Sequence, residues 1–305
     1  MGQRHFAIIA SLLFTVFLWG GNNVGIKHLV NAWPPIWVGS TRFMMSSLLM
    51  LALLRWTRQL RVPPSPQLNR RLWLRGGLSL AVYIVVFNWG LRFTSASHMG
   101  LYLGASPVWA LLWEGRGDQR ASQLLVRATA AGLALLGIFV LFWPALHSQS
   151  GSIPGELMGI CASVLWVFYG RQCQILNREL SGVEVSAHTM WRAAVLLIPL
   201  AAWETGGRLT VPWDAKLALI QLYCVLGGGV VAFALWNNAL RHWKTSEVYL
   251  FNNLIPVSTM LWAYFCLGEP MTPTFWAAMG FIAAGVILGQ ANWQKIVGNF
   301  WRPGE

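Results

Sequence analysis

From about residue 6 to residue 294 the chain is a succession of apolar runs, each close to the length a helix needs to cross a bilayer. A hydrocarbon core takes about 20 mainly apolar residues per helix, but only about 10 per strand. Lipid offers no partner to an unpaired amide, so a spanning segment must satisfy its backbone internally, as a helix does. Ten spanning helices are expected, at 6–25, 34–54, 74–92, 95–115, 124–143, 154–175, 184–204, 215–240, 246–267 and 273–294. Composition agrees: 10% of the side chains are charged, where soluble domains carry about a quarter. The fold class predicted is all-α integral membrane. The first run follows Gln3-Arg4-His5 as a secretory leader would. It continues, however, into Trp19-Gly20-Gly21-Asn22-Asn23 with no small-residue cleavage site, and is expected to stay as a span.

The runs repeat. Shifted by 149 positions, the stretch Asn88 to Trp113 falls on Asn237 to Trp262, and nine of 26 residues recur without a gap, Pro107/Pro256 among them. At a shift of 150, Trp19-Gly20 falls on Tyr169-Gly170 and Arg42 on Arg192. At 148, Ala130, Gly132 and Gly137 fall on Ala278, Gly280 and Gly285. These zones describe one five-span unit, 1–147, followed by a second, 148–305. A unit with an odd number of spans ends on the opposite side of the membrane, so the second copy is expected to be inverted.

Lys and Arg set the orientation. With the N-terminus inside, the inner connections carry sixteen and the outer ones four, and Arg42 and Arg192 fall inside spans. That bias places both termini in the cytoplasm, of what is expected to be a bacterial inner membrane. Topology therefore accounts for the net charge of +12 without a nucleic-acid partner. Tryptophans near span ends (Trp33, Trp37, Trp56, Trp73, Trp213, Trp293, Trp301) fit an aromatic belt. Cys161, Cys173, Cys224 and Cys266 have no metal-ligand spacing and read as small packing residues. No cofactor or metal is expected. An enzyme is not expected either, since no zinc-protease, phosphate-loop or nucleophile-elbow motif occurs and no convergent acid and base set can be assembled.

Several residues inside the spans are candidates for a substrate cavity. Pro107 and Pro256 lie about twelve residues into spans four and nine, where each loses an amide donor and clashes with the carbonyl four residues back, of Leu103 and Asn252. Such a break belongs against protein or a wet cavity; it is either a packed kink or, as the pairing in both repeats favours, part of a gate. Asn22, Asn23, Asn88, Asn237 and Asn252 are able to bind a polar substrate or to glue helices. Trp19 closes span one. Tyr83, Tyr102, Trp166 and Tyr169 sit within spans, as a cavity wall or as core filling. Arg42 and Arg192, with His188 one turn before the latter, are either anchors for an anionic group or snorkel to the nearer interface. Gly227-Gly228-Gly229 is a flexing point in span eight or a place of close helix approach. Gly155-x3-Gly159 and Gly285-x3-Gly289 also predict close approach, the latter within one chain or in a homodimer. No Asp or Glu occupies a span centre, so a deep carboxylate relay is not expected.

The five-plus-five repeat, Trp19-Gly20, Ala105-Ser106-Pro107, Leu254-Ile255-Pro256 and Leu267-Gly268-Glu269 resemble the ten-helix EamA-type exporters of the drug/metabolite transporter superfamily, over almost the whole chain. The first half departs from the pattern where it reads Trp113-Glu114-Gly115-Arg116-Gly117-Asp118. The resemblance implies an inverted-repeat bundle, a central cavity lined mainly by spans one to four and six to nine, and spans five and ten at the periphery. It also implies transport of a small molecule through the bilayer. Export of amino acids, aromatic ones included, is the leading expectation, because the candidate lining mixes Asn with Tyr and Trp. Phosphorylated sugars or nucleotide sugars are the alternative, and a non-transporting assembly or sensory subunit is the alternative of another class.

Overall fold

Helix follows helix through the computed structural model, which describes residues 2–60, 65–114, 121–147, 152–207, 211, 214–243 and 245–290. Ten are numbered here: α1 (Gly2–Ala32), α2 (Pro35–Trp56), α3 (Pro66–Phe93), α4 (96–114), α5 (Ala121–His147), α6 (Ile153–Leu176), α7 (Gly182–Glu204), α8 (Ala215–His242), α9 (245–267) and α10 (Pro273–Gln290). Six of them, α1 to α3 and α6 to α8, are long and apolar enough to cross a membrane. The expected all-α membrane fold of ten helices is the observed one. The Pro63-Pro64 connection, the divergent stretch 115–120, and Trp213, Trp293 and Trp301 lie outside the described residues.

Two boundaries differ from the expectation. α1 does not end near residue 25 but runs on to Ala32. Gly-Gly-Asn-Asn is a poor helix sequence in water, yet here its glycines are where neighbours come closest. A Cβ on Gly20 would collide with Ser258 of α9, one on Gly21 with the Tyr223 hydroxyl and one on Gly25 with Cys224 of α8. Close packing overrides propensity. α3 likewise starts at Pro66, eight residues before the expected 74, capped by the Ser65 hydroxyl.

The two halves are tied by matching irregularities. α3 carries a π-helical turn at Leu72–Gly77, and α8 carries one at Cys224–Val231. Such turns misalign the ladder and free carbonyls. In α3, Gly76 and Gly77 admit Thr189 and Arg192 of α7; in α8, Gly228 and Gly229 admit Asn22 of α1 and Ser46 of α2. Each half's third helix thus docks by a glycine-bearing π turn on the other half's second helix. The freed carbonyls are used: Ser46 donates to Val225 and Trp19 to Gly228. Gly227-Gly228-Gly229 is therefore at once an irregular turn and a contact.

α4 and α9 are both broken. α4 divides into Ala96–Gly104 and Ser106–Glu114; α9 divides into Thr245–Tyr249, a 3-10 stretch Leu250–Leu254, and Ile255–Leu267. Pro107 and Pro256 stand second in the following helical piece, where a missing amide goes unnoticed. The breaks face each other: Gly104 has room for no Cβ because the Pro256 ring occupies that space, and Asn252 Nδ2 donates to Ser106 Oγ at 2.7 Å. Gly268, at φ 67°, closes α9 in the left-handed conformation that glycine adopts without strain.

α5 and α10 form a peripheral pair. Gly137 packs on the Ala278 carbonyl and Gly285 on the Ala130 carbonyl, the close approach of small residues that substitutes for a hydrophobic drive in lipid. Gly285 is thus taken up within one chain. The pair shares a small apolar core with Leu101 and Tyr102 of α4 and Met260 of α9, separate from the large core of the other helices. Cys173 and Cys224 are buried in that large core, but Cys161 and Cys266 are exposed, so only the first two act as packing residues.

Candidate functional site

A cavity of about 30 Å³ lies inside the bundle, lined by Trp19, Asn22, Asn23, Arg42, Tyr83, Phe87, Leu103, Trp166, Phe233 and Ile255. They come from α1, α2, α3, α4, α6, α8 and α9. Leu103 and Ile255 are the residues flanking the two helix breaks, so the breaks border the cavity. About 15 Å³ suffices for one water, whereas drug-sized ligands occupy about 300 Å³ or more. In this conformation the cavity is large enough for water and too small for an organic solute.

Arg42 is the charged member of the lining. It enters α2 seven residues from the helix start, deep enough to be 3% exposed, and its side chain does not snorkel. Its Nη1 donates to Asn22 Oδ1 at 2.9 Å and its guanidinium lies 4.1 Å from the Phe43 ring centre, while Nε is buried without a partner. No carboxylate pairs with it among the described residues. A cation at bilayer depth costs about 3 kcal/mol on insertion scales. One hydrogen bond to a charged group returns about 1.5–3 kcal/mol, which leaves Nε still unserved. Arg42 is thus buried with one side-chain hydrogen bond and, among the described residues, no counter-ion. Asn22 itself is pressed against Gly228, and Asn23 Nδ2 donates to Thr259 Oγ1 at 3.1 Å, so α1 is fixed to both α8 and α9.

Aromatic rings make the opposite wall. Trp19 meets Trp166 edge-on at 5.2 Å, Phe233 at 5.5 Å and Trp236 at 4.9 Å, and Tyr83 lies 5.2 Å from Trp166. The indole of Trp19 is held by its bond to the Gly228 carbonyl at 3.1 Å. The site is thus bipolar, a cation with amides on one side and ring faces on the other.

Of the residues singled out in the sequence, Trp19, Asn22, Asn23, Arg42, Tyr83 and Trp166 line the cavity. Tyr169 stands one ring behind, 5.7 Å from Trp166, with its hydroxyl on Thr189. The others lie elsewhere. Asn88 donates to the Pro35 carbonyl, Asn237 to Ser186, and Asn252 to Ser106; these amides join helices. Tyr102 reaches Glu156. Arg192 donates to Asn69 Oδ1 at 2.6 Å and to the His188 carbonyl at 2.9 Å, with its guanidinium 4.2 Å from the Trp191 ring. Although the sequence repeat relates Arg42 to Arg192, the fold places only the first in the cavity. Pro107 and Pro256 stand at the breaks behind it, and Gly227 and Gly228 in the π turn of α8. The lining residues missed in sequence, Phe87, Leu103, Phe233 and Ile255, are apolar and carry no local signal. Phe87 alone was within reach, one helical turn after Tyr83.

The family model described as the EamA-like transporter family matches residues 6–143 and again 153–289. An uncharacterized transporter of Archaeoglobus fulgidus is 25% identical over 92% of this chain and 96% of its own. The uncharacterized inner membrane transporter YedA of Escherichia coli is 24% identical, over 94% and 92%. A solved crystal structure superposes with a TM-score of 0.67 at 18% identity, covering 93% of this chain and 97% of that one, and speaks to the fold alone.

Proposed function

The chain belongs to the EamA-like transporter family, and from that premise we propose that it exports a small amphipathic metabolite bearing a carboxylate, by alternating access. It is a multi-pass membrane transporter with two EamA repeats, related to inner membrane transporters. Amino acids are the class the lining suits, aromatic ones first. The observation that carries this reading is Arg42, buried, bonded to Asn22 and with no acid beside it among the described residues, facing a wall of Trp19, Trp166 and Tyr83. A carboxylate would supply the counter-charge, Asn22 and Asn23 would orient the polar end, and the rings would take up an apolar side chain. Phosphorylated sugars fit less well, because the second intramembrane cation, Arg192, is engaged with Asn69 away from the cavity. The Lys and Arg bias supports a cytoplasmic N-terminus.

Transport requires the cavity to enlarge, since about 30 Å³ admits no amino acid. The broken helices α4 and α9, which meet at Gly104 and Pro256, are the elements that would rock to open it. The test is flux of labelled L-tryptophan into proteoliposomes preloaded with the unlabelled compound. The wild-type protein exchanges label, Arg42→Gln loses at least about tenfold of the rate, as removal of one charge-assisted contact of about 1.5–3 kcal/mol implies, and Trp166→Ala is also slowed. Equal exchange by wild type and Arg42→Gln contradicts the reading.

A further inference from the structure

Away from the central cavity, a groove of about 410 Å³ runs between the second piece of α4 and the middle of α6, lined by Trp109, Leu112, Trp113 and Val164. One large residue spans the space between the two helices: the Trp109 indole reaches α6, where its Nε1 donates to Ser163 Oγ at 2.9 Å. At the related place in the repeat, a shift of 149 puts Ser258 where Trp109 stands. There α9 closes on α1 instead. A Cβ on Gly20 would collide with Ser258, and Trp262, the counterpart of Trp113, packs 5.3 Å from Phe17. The groove is as large as a small-ligand site, about 300 Å³ or more. Leu112 and Trp113 are about half exposed, so in a bilayer the groove is open to lipid.

A cation stands at one end of it. Along α6, Val164, Phe168 and Arg171 follow at i, i+4 and i+7 on one helical face. Phe168 lies 5.7 Å from the Trp113 ring, and the Arg171 guanidinium lies 5.4 Å from the centre of the same ring. Its Nη1 is shut off from solvent and has no hydrogen-bond partner among the described residues, and an unmade bond to a buried charged donor is costly. In the turn after α6, the acid Glu179 is paired with Arg71 of α3, and the residue before it is the exposed Arg178. This end of the groove is therefore basic. At about 1.5 Å per residue, Arg171 lies about 8 Å before the end of α6 and about 10 Å from Val164. That is a depth from which a long basic side chain reaches the headgroups, while the groove continues towards the bilayer centre. With the N-terminus cytoplasmic, the leaflet is the inner one, whose surface is anionic.

We infer that this groove binds an anionic phospholipid, with a phosphate oxygen accepting from Arg171 Nη1 and an acyl chain lying along Trp109, Leu112 and Val164. The phosphate supplies the acceptor that Nη1 lacks, in the charge-assisted form that suits a guanidinium. The apolar wall takes the chain, which a free phosphate would leave uncovered. A zwitterionic lipid carries the same phosphate but brings an amine cation towards Arg171 and Arg178. Bound there, the lipid ties the second piece of α4 to α6.

The full chain, purified in detergent and stripped of lipid, is titrated with phosphatidylglycerol and separately with phosphatidylcholine of the same chains. Bound lipid is counted by native mass spectrometry. The wild-type protein is expected to take one phosphatidylglycerol at least about fivefold more tightly than phosphatidylcholine, the preference that one basic residue near an anionic lipid supplies. Arg171→Gln abolishes that preference, Arg171→Lys keeps part of it, and Val164→Trp, which fills the groove, weakens the binding of both lipids. Equal binding of the two lipids by the wild type, as an unselective lipid shell gives, overturns the inference. So does a preference that survives Arg171→Gln, or a Val164→Trp protein that binds phosphatidylglycerol as the wild type does. Displacement of the lipid by inorganic phosphate at the same concentration would assign Arg171 to a free anion and overturn it as well. No cavity substrate is present in this assay, so its outcome is independent of tryptophan exchange.

Discussion

Arg42 is the charged side chain in the lining of the cavity. Its charge was visible in the sequence as one of two basic residues inside spans, but its partner was not. Span one is expected from the sequence to stop near residue 25, just past Gly-Gly-Asn-Asn, a poor helix sequence in water. Only the fit of Gly20, Gly21 and Gly25 against Ser258, Tyr223 and Cys224 carries α1 past that point, and such fits have no local signature. Glu156 escaped for a similar reason: it stands beside Pro154 at a span start, where a carboxylate is expected in water, and its burial is supplied by Thr94, His98 and Tyr102 from other helices. The asparagine pair makes a testable point at this scale. Asn22→Leu removes the bond to Arg42 Nη1 and leaves a second donor of a buried cation unserved. A stability loss of about 2–3 kcal/mol is expected, seen as a lowered unfolding temperature in detergent. Asn22→Asp, which offers Arg42 a permanent counter-ion, is expected to fold at least as well and to stop tryptophan exchange by occupying the anion site.

At the scale of the helix, the two halves are joined by irregular turns rather than by regular faces. The glycine triplet of α8 was legible as unusual, but Gly76-Gly77 of α3 was not singled out, though it performs the same task against Thr189 and Arg192. The reason is that a π turn is a property of two packed helices, and the sequence repeat at this position is weak. Gly229→Val is expected to push α8 off Ser46 of α2, with an overpacking cost of about 1–3 kcal/mol, measured as a drop in thermal stability. Breaks in α4 and α9 were foreseen from Pro107 and Pro256. Their mutual contact at Gly104 and the Asn252–Ser106 bond were not. Pro256→Ala is expected to leave the unfolding temperature within a few degrees, because the proline stands at the start of a helical piece where its missing amide is harmless. It is also expected to slow exchange, because the break no longer enforces a bend beside Ile255. A normal exchange rate in that variant removes the break from the gating motion.

For the whole molecule, the repeat was the legible part. Shifts of 148 to 150 read as five helices per repeat; in the structure α3 docks on α7 as α8 docks on α2, and α5 lies against α10, the pair that the family resemblance puts at the edge. What the repeat does not determine is how two related halves diverge. Arg42 opens into the cavity while Arg192, its counterpart, is clasped by Asn69 and His188, so the candidate site is asymmetric although the frame is not. The bias of Lys and Arg makes a separate claim: reporter enzymes fused to the C-terminus are expected to be active only if they function in the cytoplasm. The claim on which the rest depends is that Arg42 receives a carboxylate beside an aromatic wall. It is tested by competing labelled L-tryptophan exchange with two analogues, tryptamine, which lacks the carboxylate, and indole-3-propionate, which lacks the amine. Inhibition by indole-3-propionate and none by tryptamine in the wild-type protein, with both ineffective on the residual exchange of Arg42→Gln, is the result expected. Inhibition by tryptamine as strong as that by indole-3-propionate would contradict it.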